Sequence, residues 1–210
     1  MPSTLTYSSL VTDISSYQER TDTAFVNQIP RFIMMAEWRI ATDLKVLGYL
    51  QVEQGVFIPG NNTIAKPAYW RETISFSFNT GTSIVPLLPR SYDYARGFWP
   101  QVVGTAPPRF YSDMDWNNFL ITPPPDQAYN FELMSYVRAQ PLDNSTQTNW
   151  LTNNAPQLLL YACLVEAQTW LKNWSAVQAF EAKYQESMRG LNREELRKPK
   201  DRSEIIIQEP

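Results

Sequence analysis

The distribution of proline most constrains the fold of this chain. Eleven of the 16 prolines lie between Pro59 and Pro141. A proline inside a helix removes a backbone hydrogen bond and clashes with the preceding turn, so the middle of the chain cannot be mainly helical. Amphipathic helical patterns occupy the two ends instead, from about residue 6 to 44 and from 147 to 188. Each end carries an apolar stripe that must be covered, and the two stripes can cover each other.

These patterns predict an α+β fold, with a helical bundle formed by both chain ends, an inserted antiparallel β domain and an extended C-terminal tail. We expect the discontinuous helical domain to comprise residues 1–45 and 142–191. The inserted β-rich domain then comprises residues 46–141, and the tail comprises residues 192–210.

Helix boundaries follow from capping and breaking residues. Asp22 is a good N-cap for a short helix, and Pro30 separates it from a longer helix that runs to about Asp43. The helix from Gln157 to Trp170 is apolar on most sides and should be the most buried one. A last helix is expected to stop at Gly190.

Period-two patterns and turn residues divide the middle of the chain into strands. The predicted product is one antiparallel sheet of four to six strands, with a short helix over residues 91–98. The strand candidates are residues 47–57, 69–78, 84–87, 109–112, 118–122 and 129–138.

The composition excludes most catalytic machinery. There is no histidine, and the single cysteine, Cys163, lies in an apolar helical run. Cys-His and Ser-His arrangements are therefore impossible, and none of the 7 glycines forms a phosphate-binding loop. We predict no enzyme, no cofactor, no catalytic residue and no metal ligand. With a formal net charge of −3, the chain has no general attraction for phosphate backbones.

The same sequence lacks the patterns of secretion and membrane insertion. The first residues show no basic stretch followed by an apolar one, and no apolar run approaches the ~18 residues that a membrane span needs. We expect a soluble product made in the cytoplasm.

Two groups of residues suggest other functions. Asp113 and Asp115 could share a hard cation and support hydrolysis, but their turn-forming neighbours favour a hairpin turn. Aromatic residues of the insertion could stack on sugars, so the alternative function is a monomeric carbohydrate-binding module that uses Trp99 and Trp116. Few basic residues accompany these rings, which favours packing or subunit contacts.

Two further segments carry apolar residues that packing within one chain does not require. Met34, Met35 and Trp38 widen the apolar surface of the N-terminal helix beyond one face, which indicates contact with the insertion or with another subunit.

Residues 193–204 alternate five basic and four acidic residues and lead into Ile205, Ile206 and Ile207. Such a tail can add as a strand to a neighbour's sheet edge or fold back on its own domain. The basic residues along the N-terminal helices are interpreted as solvated, with inter-subunit salt bridges as the alternative; they are Arg20, Arg31, Arg39 and Lys45.

Two runs resemble a known family. The run Thr148–Ala167, TNWLTNNAPQLLLYACLVEA, is similar to the head-to-tail adaptor (connector) proteins of tailed bacteriophages, particularly short-tailed phages. The run Phe25–Ile40, FVNQIPRFIMMAEWRI, resembles the same family. Both are packing patterns and neither is a catalytic signature. Together they cover both helical ends, and the order of helices, insertion, helices and charged tail agrees over nearly the whole chain.

The resemblance implies a structural protein of the virion tail, synthesised in the host bacterial cytoplasm. It implies a homo-oligomeric ring, expected to be dodecameric, that joins the portal protein to the tail nozzle or tail tube. Viral DNA would pass through the lumen during genome ejection without sequence-specific binding. Met34, Met35 and Trp38 would form the subunit interface. The residues expected to dock on the portal are Arg197, Lys198, Lys200, Arg202, Ile205, Ile206 and Ile207.

Overall fold

The structure, a computed structural model, describes residues 4–45, 47–101 and 103–197. The chain forms two compact units, one of Met1–Gly48 with Ala139–Pro210 and one of Tyr49–Arg138. The first is helical and discontinuous in sequence, and the second contains the strands.

The N-terminal part of the helical unit contains α1 (Tyr7–Tyr17), α2 (Thr23–Val26) and α3 (Ile29–Asp43). The side chain of Thr6 caps α1 and that of Asp22 caps α2. Pro30 lies in the first turn of α3, where its missing N–H is not needed. The short helix, the break and the longer helix are therefore confirmed.

The C-terminal part of the helical unit contains α5 (Trp150–Asn154), α6 (Pro156–Trp170) and α7 (Trp174–Arg197). Asn149 caps α5 through a reciprocal capping box with Thr152. Helix α6 packs on both α3 and α7, and its buried residues point in all directions, as its sequence predicts. Cys163 is one of them.

The β unit contains eight strands and helix α4 (Tyr92–Phe98) within the described residues. A 3-10 turn, Leu47–Tyr49, precedes the first strand. The strands are β1 (Leu50–Val56), β2 (Thr63–Ala65), β3 (Trp70–Asn79), β4 (Ile84–Pro86), β5 (Leu88–Pro89), β6 (Phe110–Asp113), β7 (Asn118–Thr122) and β8 (Asn130–Val137).

These strands form two four-stranded sheets with an aromatic core between them. One sheet has the order β1-β8-β3-β4 and the other β2-β7-β6-β5. Phe76 of the first sheet contacts Phe119 and Tyr111 of the second, with ring centroids 5.8 and 5.4 Å apart. The core also includes Phe57, Phe78, Leu87, Ile121, Tyr129 and Leu133.

Three expectations about the fold are wrong. The insertion forms two sheets instead of one, and β5 pairs with β6 in parallel. Parallel neighbours need a crossover, and α4 lies in that connection and packs on β6. Strand β2 was missed because three residues are too few to show alternation. Finally, α7 continues past Gly190 to Arg197, because the surrounding Glu, Arg and Leu residues are good helix formers.

Candidate interaction surfaces

The solvent side of α3 carries three large apolar side chains beside the exposed Arg31 and Thr42. Residues 29, 32, 33, 36, 37 and 40 of this helix are buried, so the positions between them face outward. Met34, Met35 and Trp38 are 48%, 44% and 58% exposed. Their spacing places them on one side of the helix. We call these three residues the α3 apolar face.

Three side-chain contacts hold α3 against α7. The Arg39 guanidinium donates through Nη2 to both carboxylate oxygens of Glu181, at 2.6 and 2.7 Å. The same guanidinium lies over the Tyr184 ring, 4.4 Å from its centroid. The Tyr184 hydroxyl donates to Asp43 at 2.9 Å, and burial together with this hydrogen bond raises the pKa of Tyr184. The expectation that Arg39 is merely solvated is wrong.

A buried carboxylate fixes the opposite side of α3. Glu37 accepts hydrogen bonds from the backbone N–H of Leu142, at 3.3 Å, and from the Asn149 side chain, at 2.8 Å. Burial raises the pKa of Glu37 to about 7, although these two hydrogen bonds oppose the shift. Glu37 therefore ties α3 to the returning chain and to the cap of α5. Helix α3, which carries the α3 apolar face, is therefore held on two sides within the helical unit.

A cationic groove lies between the start of α6 and the second half of α7. Its volume is about 1040 Å³. Lys183, Arg189 and Arg193 contribute positive charge to its lining, Glu186 contributes one negative charge, and Tyr161 of α6 contributes an aromatic surface. The groove adjoins the end of α7 that leads into the tail. It offers a concave surface to a partner at this end of the helical unit.

The aromatic residues of the insertion serve mainly in packing. Tyr94 and Phe98 of α4 contact Phe110 of β6, with ring centroids 5.6 and 4.9 Å away. Arg90 lies over the rings of Tyr94 and Phe110. These contacts attach α4 to its sheet.

The two tryptophans of the carbohydrate hypothesis lie on different segments. Trp99 is the C-cap of α4 and lines a cavity of about 730 Å³, whereas Trp116 lies in the β6–β7 turn and does not line it. Trp116 is 73% exposed, but Trp99 is half-buried. No shared sugar platform is formed by this pair.

The two aspartates of the metal hypothesis have other partners. Asp113 forms an ion pair with Lys66 at 2.6 Å. Asp115 accepts hydrogen bonds from the backbone N–H of Asn117 and from the Asn118 side chain, as expected of a hairpin turn. Within the described parts of the chain, no group of three or more His, Cys, Asp or Glu residues is placed to hold a metal ion.

Lys66 is the buried centre of this turn. Its ammonium group is 4.0 Å from the centroid of Trp70 and 4.9 Å from that of Phe119, and it donates to the Asp115 carbonyl. Sequence reasoning missed both Lys66 and Glu37. One signal in the sequence could have indicated Glu37. This charged residue is flanked on the helix by positions that are buried, namely Ile33, Ala36 and Ile40.

Most of the predicted tail site lies outside the described residues. Arg197 is the last residue of α7. Lys198, Lys200, Arg202, Ile205, Ile206 and Ile207 lie beyond the described part.

The helical unit thus offers two exposed contact surfaces, the α3 apolar face and the groove between α6 and α7, as expected of an interaction protein. The chain belongs to the SU10 adaptor protein family, since a model of that family matches residues 5–203. This is a family of phage head-to-tail adaptors, and the match confirms the resemblance seen in the sequence. No curated protein sequence matches the chain. No helix within the described ranges is both long enough and apolar enough to cross a membrane.

Proposed function

We propose that this protein is the structural head-to-tail adaptor of a tailed phage virion. It assembles into a homo-oligomeric ring, with twelve copies as the expected number, and joins the portal protein to the tail nozzle or tail tube. The observation that carries the proposal is the family match over residues 5–203. An adaptor acts by holding partners together, which agrees with a chain that has no histidine.

The α3 apolar face supplies the lateral contacts of the ring. Three large apolar side chains on one exposed helix face favour burial against protein. The face can meet a different surface on the next subunit, and such heterologous contacts form a ring when the rotation between neighbouring subunits closes. Its fixed position, through Glu37, Arg39 and Asp43, keeps the angle between subunits constant.

Two parts of the chain, the C-terminal tail and the β unit, contact two different partners. The tail, with Arg197, Lys198, Lys200, Arg202 and Ile205–Ile207, docks on the portal. The β unit contacts the nozzle or tube. Viral DNA passes through the lumen without sequence-specific binding, and the weakly acidic chain avoids retaining it through phosphate contacts.

Native mass spectrometry of the chain with purified portal rings tests the lateral contacts. Trp38→Ala should reduce ring assembly at least tenfold, because it removes the largest side chain of the α3 apolar face. Trp116→Ala is the control, since Trp116 is an exposed tryptophan of the β unit, at 73% against 58% for Trp38. A monomer that persists with portal rings, or equal effects of both variants, contradicts the proposal.

Limited proteolysis tests the tail. Trypsin should cut near Arg197–Lys200 in free protein, and the rate should fall when portal rings are added. A chain truncated after Arg197 should lose portal binding while it retains its melting temperature. Equal cutting with and without the portal means that the tail is not the docking element.

A further inference from the structure

The cationic groove of the helical unit combines exposed positive charge with an apolar lining. Its charged residues are Lys183, Arg189 and Arg193 against the single carboxylate of Glu186. Its apolar lining is partly or fully buried and includes Leu158, Tyr161 and Leu191. A segment that fits this groove has to bring apolar side chains for the lining and negative charge for the exposed cations.

Gly190 leaves the middle of this groove open. It lines the groove and lies inside α7, where a glycine is destabilising relative to alanine. Its φ is not positive, and a Cβ atom added there would meet nothing within 4 Å. Neither the backbone conformation nor the packing of the described chain therefore requires a glycine at this position. A glycine here keeps the surface of α7 open to the close approach of another segment.

The chain that follows α7 begins beside the groove. Arg193 lines the groove, and Arg197, the last residue of α7, lies about 6 Å further along the helix axis. Beyond it, Ser203–Pro210, SEIIIQEP, contains two glutamates, three isoleucines and no basic residue. Residues 198–202 connect this segment to α7 and span up to about 17 Å when extended. This length is enough for the chain to reverse its direction and enter the groove.

We propose that Ser203–Pro210 of the same chain occupies the cationic groove in the free protein. In an extended segment, Glu204 and Glu209 lie about 17 Å apart. The two cations at the ends of the groove, Lys183 and Arg193, lie about 15 Å apart along α7. A chain that reverses after α7 therefore brings Glu204 to the Arg193 end and Glu209 to the Lys183 end.

The segment between the two glutamates matches the lining between the two cations. Ile205, Ile206 and Ile207 then lie over Gly190, where the groove has room for them, and against the apolar lining. The basic residues Lys198, Lys200 and Arg202 stay in the connection, outside the groove.

The covalent connection favours this occupant over a second copy or another protein. A segment tethered through five residues is present beside the groove at an effective concentration of about 1 mM or more. A partner free in solution at micromolar concentration has to bind about a thousandfold more tightly to displace it.

This inference does not depend on the ring or on portal docking. Where both hold, the groove and the portal compete for Ile205–Ile207, so portal binding takes the segment out of the groove. The connection stays outside the groove, and trypsin therefore still cuts near Arg197–Lys200 in the free protein. A contact of this kind opens locally before the helical unit unfolds, so a chain truncated after Arg197 keeps its melting temperature.

Amide hydrogen exchange of the free, full chain tests the occupancy. Ser203–Pro210 should exchange about tenfold more slowly than the same sequence in a synthetic peptide. Gly190→Leu fills the groove and leaves the segment unchanged, so the segment should then exchange at the rate of the peptide. This variant should fold, because a Cβ atom at Gly190 meets nothing within 4 Å.

The control is Gln178→Leu, which adds a leucine at an exposed position of α7 outside the groove. It should leave the exchange of the segment within about twofold of the wild type. Exchange at the peptide rate in the wild type, or equal exchange in the wild type and in Gly190→Leu, overturns the proposal.

Paramagnetic relaxation decides whether the segment binds in its own chain. A nitroxide attached at Gln208→Cys should broaden the amide signals of Ser187 and Gly190 of the same chain, and the buried Cys163 does not take up the label. In a mixture of nitroxide-labelled copies with unlabelled ¹⁵N copies, under conditions where the chain is monomeric, those signals should stay sharp. Broadening between copies, or none within one chain, overturns the proposal. Portal binding by the truncated chain is a separate readout, so this inference and the proposed function fail separately.

Discussion

Arg39 and Glu181 lie 142 residues apart in the sequence and form a two-oxygen ion pair through a single guanidinium nitrogen. The pair joins α3, from the first part of the chain, to α7, from the last. Both side chains are about one-third exposed, at 28% and 33%. Such a pair is less screened by water than a surface pair, so it contributes to closing the helical unit.

Removal of either partner should lower the free energy of unfolding by about 1–2 kcal/mol, because a partly buried charge loses its partner. Arg39→Ala should be the more severe change, since Arg39 also covers the Tyr184 ring. A double-mutant cycle with Glu181→Ala, measured by urea unfolding, should give a coupling of about 1 kcal/mol. The matched control is the pair Arg20–Asp22, at 2.7 Å but 40% and 42% exposed, which should couple more weakly than Arg39–Glu181. Equal coupling in both pairs would show that burial is irrelevant here.

Glu37 should make the stability of the helical unit depend on pH. Its pKa is about 7 in the folded chain, above the 4.5 of a solvated glutamate, so folding favours its protonated form. The stabilisation is complete below pH ~4.5 and is lost as the pH rises through ~7, by the linkage of proton binding to folding. The expected loss is about 2–3 kcal/mol between these limits.

The test is the difference in free energy of unfolding between Glu37→Gln and the wild type from pH 5 to pH 8. The variant should gain relative stability as the pH rises, because its amide cannot ionise. Glu19→Gln, at an exposed position, is the control and should follow the wild type throughout. A constant difference for Glu37→Gln would show that Glu37 does not titrate in this range.

Local patterns predicted the parts of the fold that depend on neighbours in sequence. Asp22, Pro30 and the apolar run of α6 fixed helix positions correctly, because capping and periodicity act within a few residues. The prediction that the last helix ends at Gly190 was wrong, because a glycine ends a helix only when the chain adopts a left-handed turn there. The second sheet was missed because its edge strands, β2 and β5, have only three and two residues.

The contacts that shape the surfaces could not be predicted, because they join distant segments. Lys66 meets Asp113 across 47 positions, and Glu37 meets Leu142 across 105. Nothing near either residue in the sequence indicates its partner. By contrast, the exposed Met34, Met35 and Trp38 were identified beforehand, since they exceeded what one helix face can bury.

Lys66 should contribute more to the stability of the β unit than to metal binding. Its ammonium group is paired with Asp113 and enclosed by Trp70 and Phe119, and its side chain is only 4% exposed. Lys66→Ala should lower the free energy of unfolding by about 3–4 kcal/mol, because it leaves a cavity beside Trp70 and Phe119. The Asp113 side chain is 66% exposed, so its carboxylate is hydrated when it loses its partner. Lys66→Met keeps the aliphatic stem and should lose about 1–3 kcal/mol. Equal losses in both variants, measured by urea unfolding, would show that the ion pair rather than the packing dominates.

Gly48 should tolerate no side chain, because Trp150 occupies the space beside it. A Cβ atom added at Gly48 would overlap the indole ring of Trp150. Gly48→Ala must displace this ring from the first turn of α5, and overpacking of this kind lowers the free energy of unfolding by about 1–3 kcal/mol. Gly97→Ala is the matched control, since a Cβ atom there meets nothing within 4 Å. It should be neutral or slightly stabilising, because alanine favours the helix α4 in which it lies. Thermal unfolding followed by tryptophan fluorescence should separate the two variants by several degrees, and a Gly48→Ala chain as stable as Gly97→Ala would contradict the close approach of Trp150.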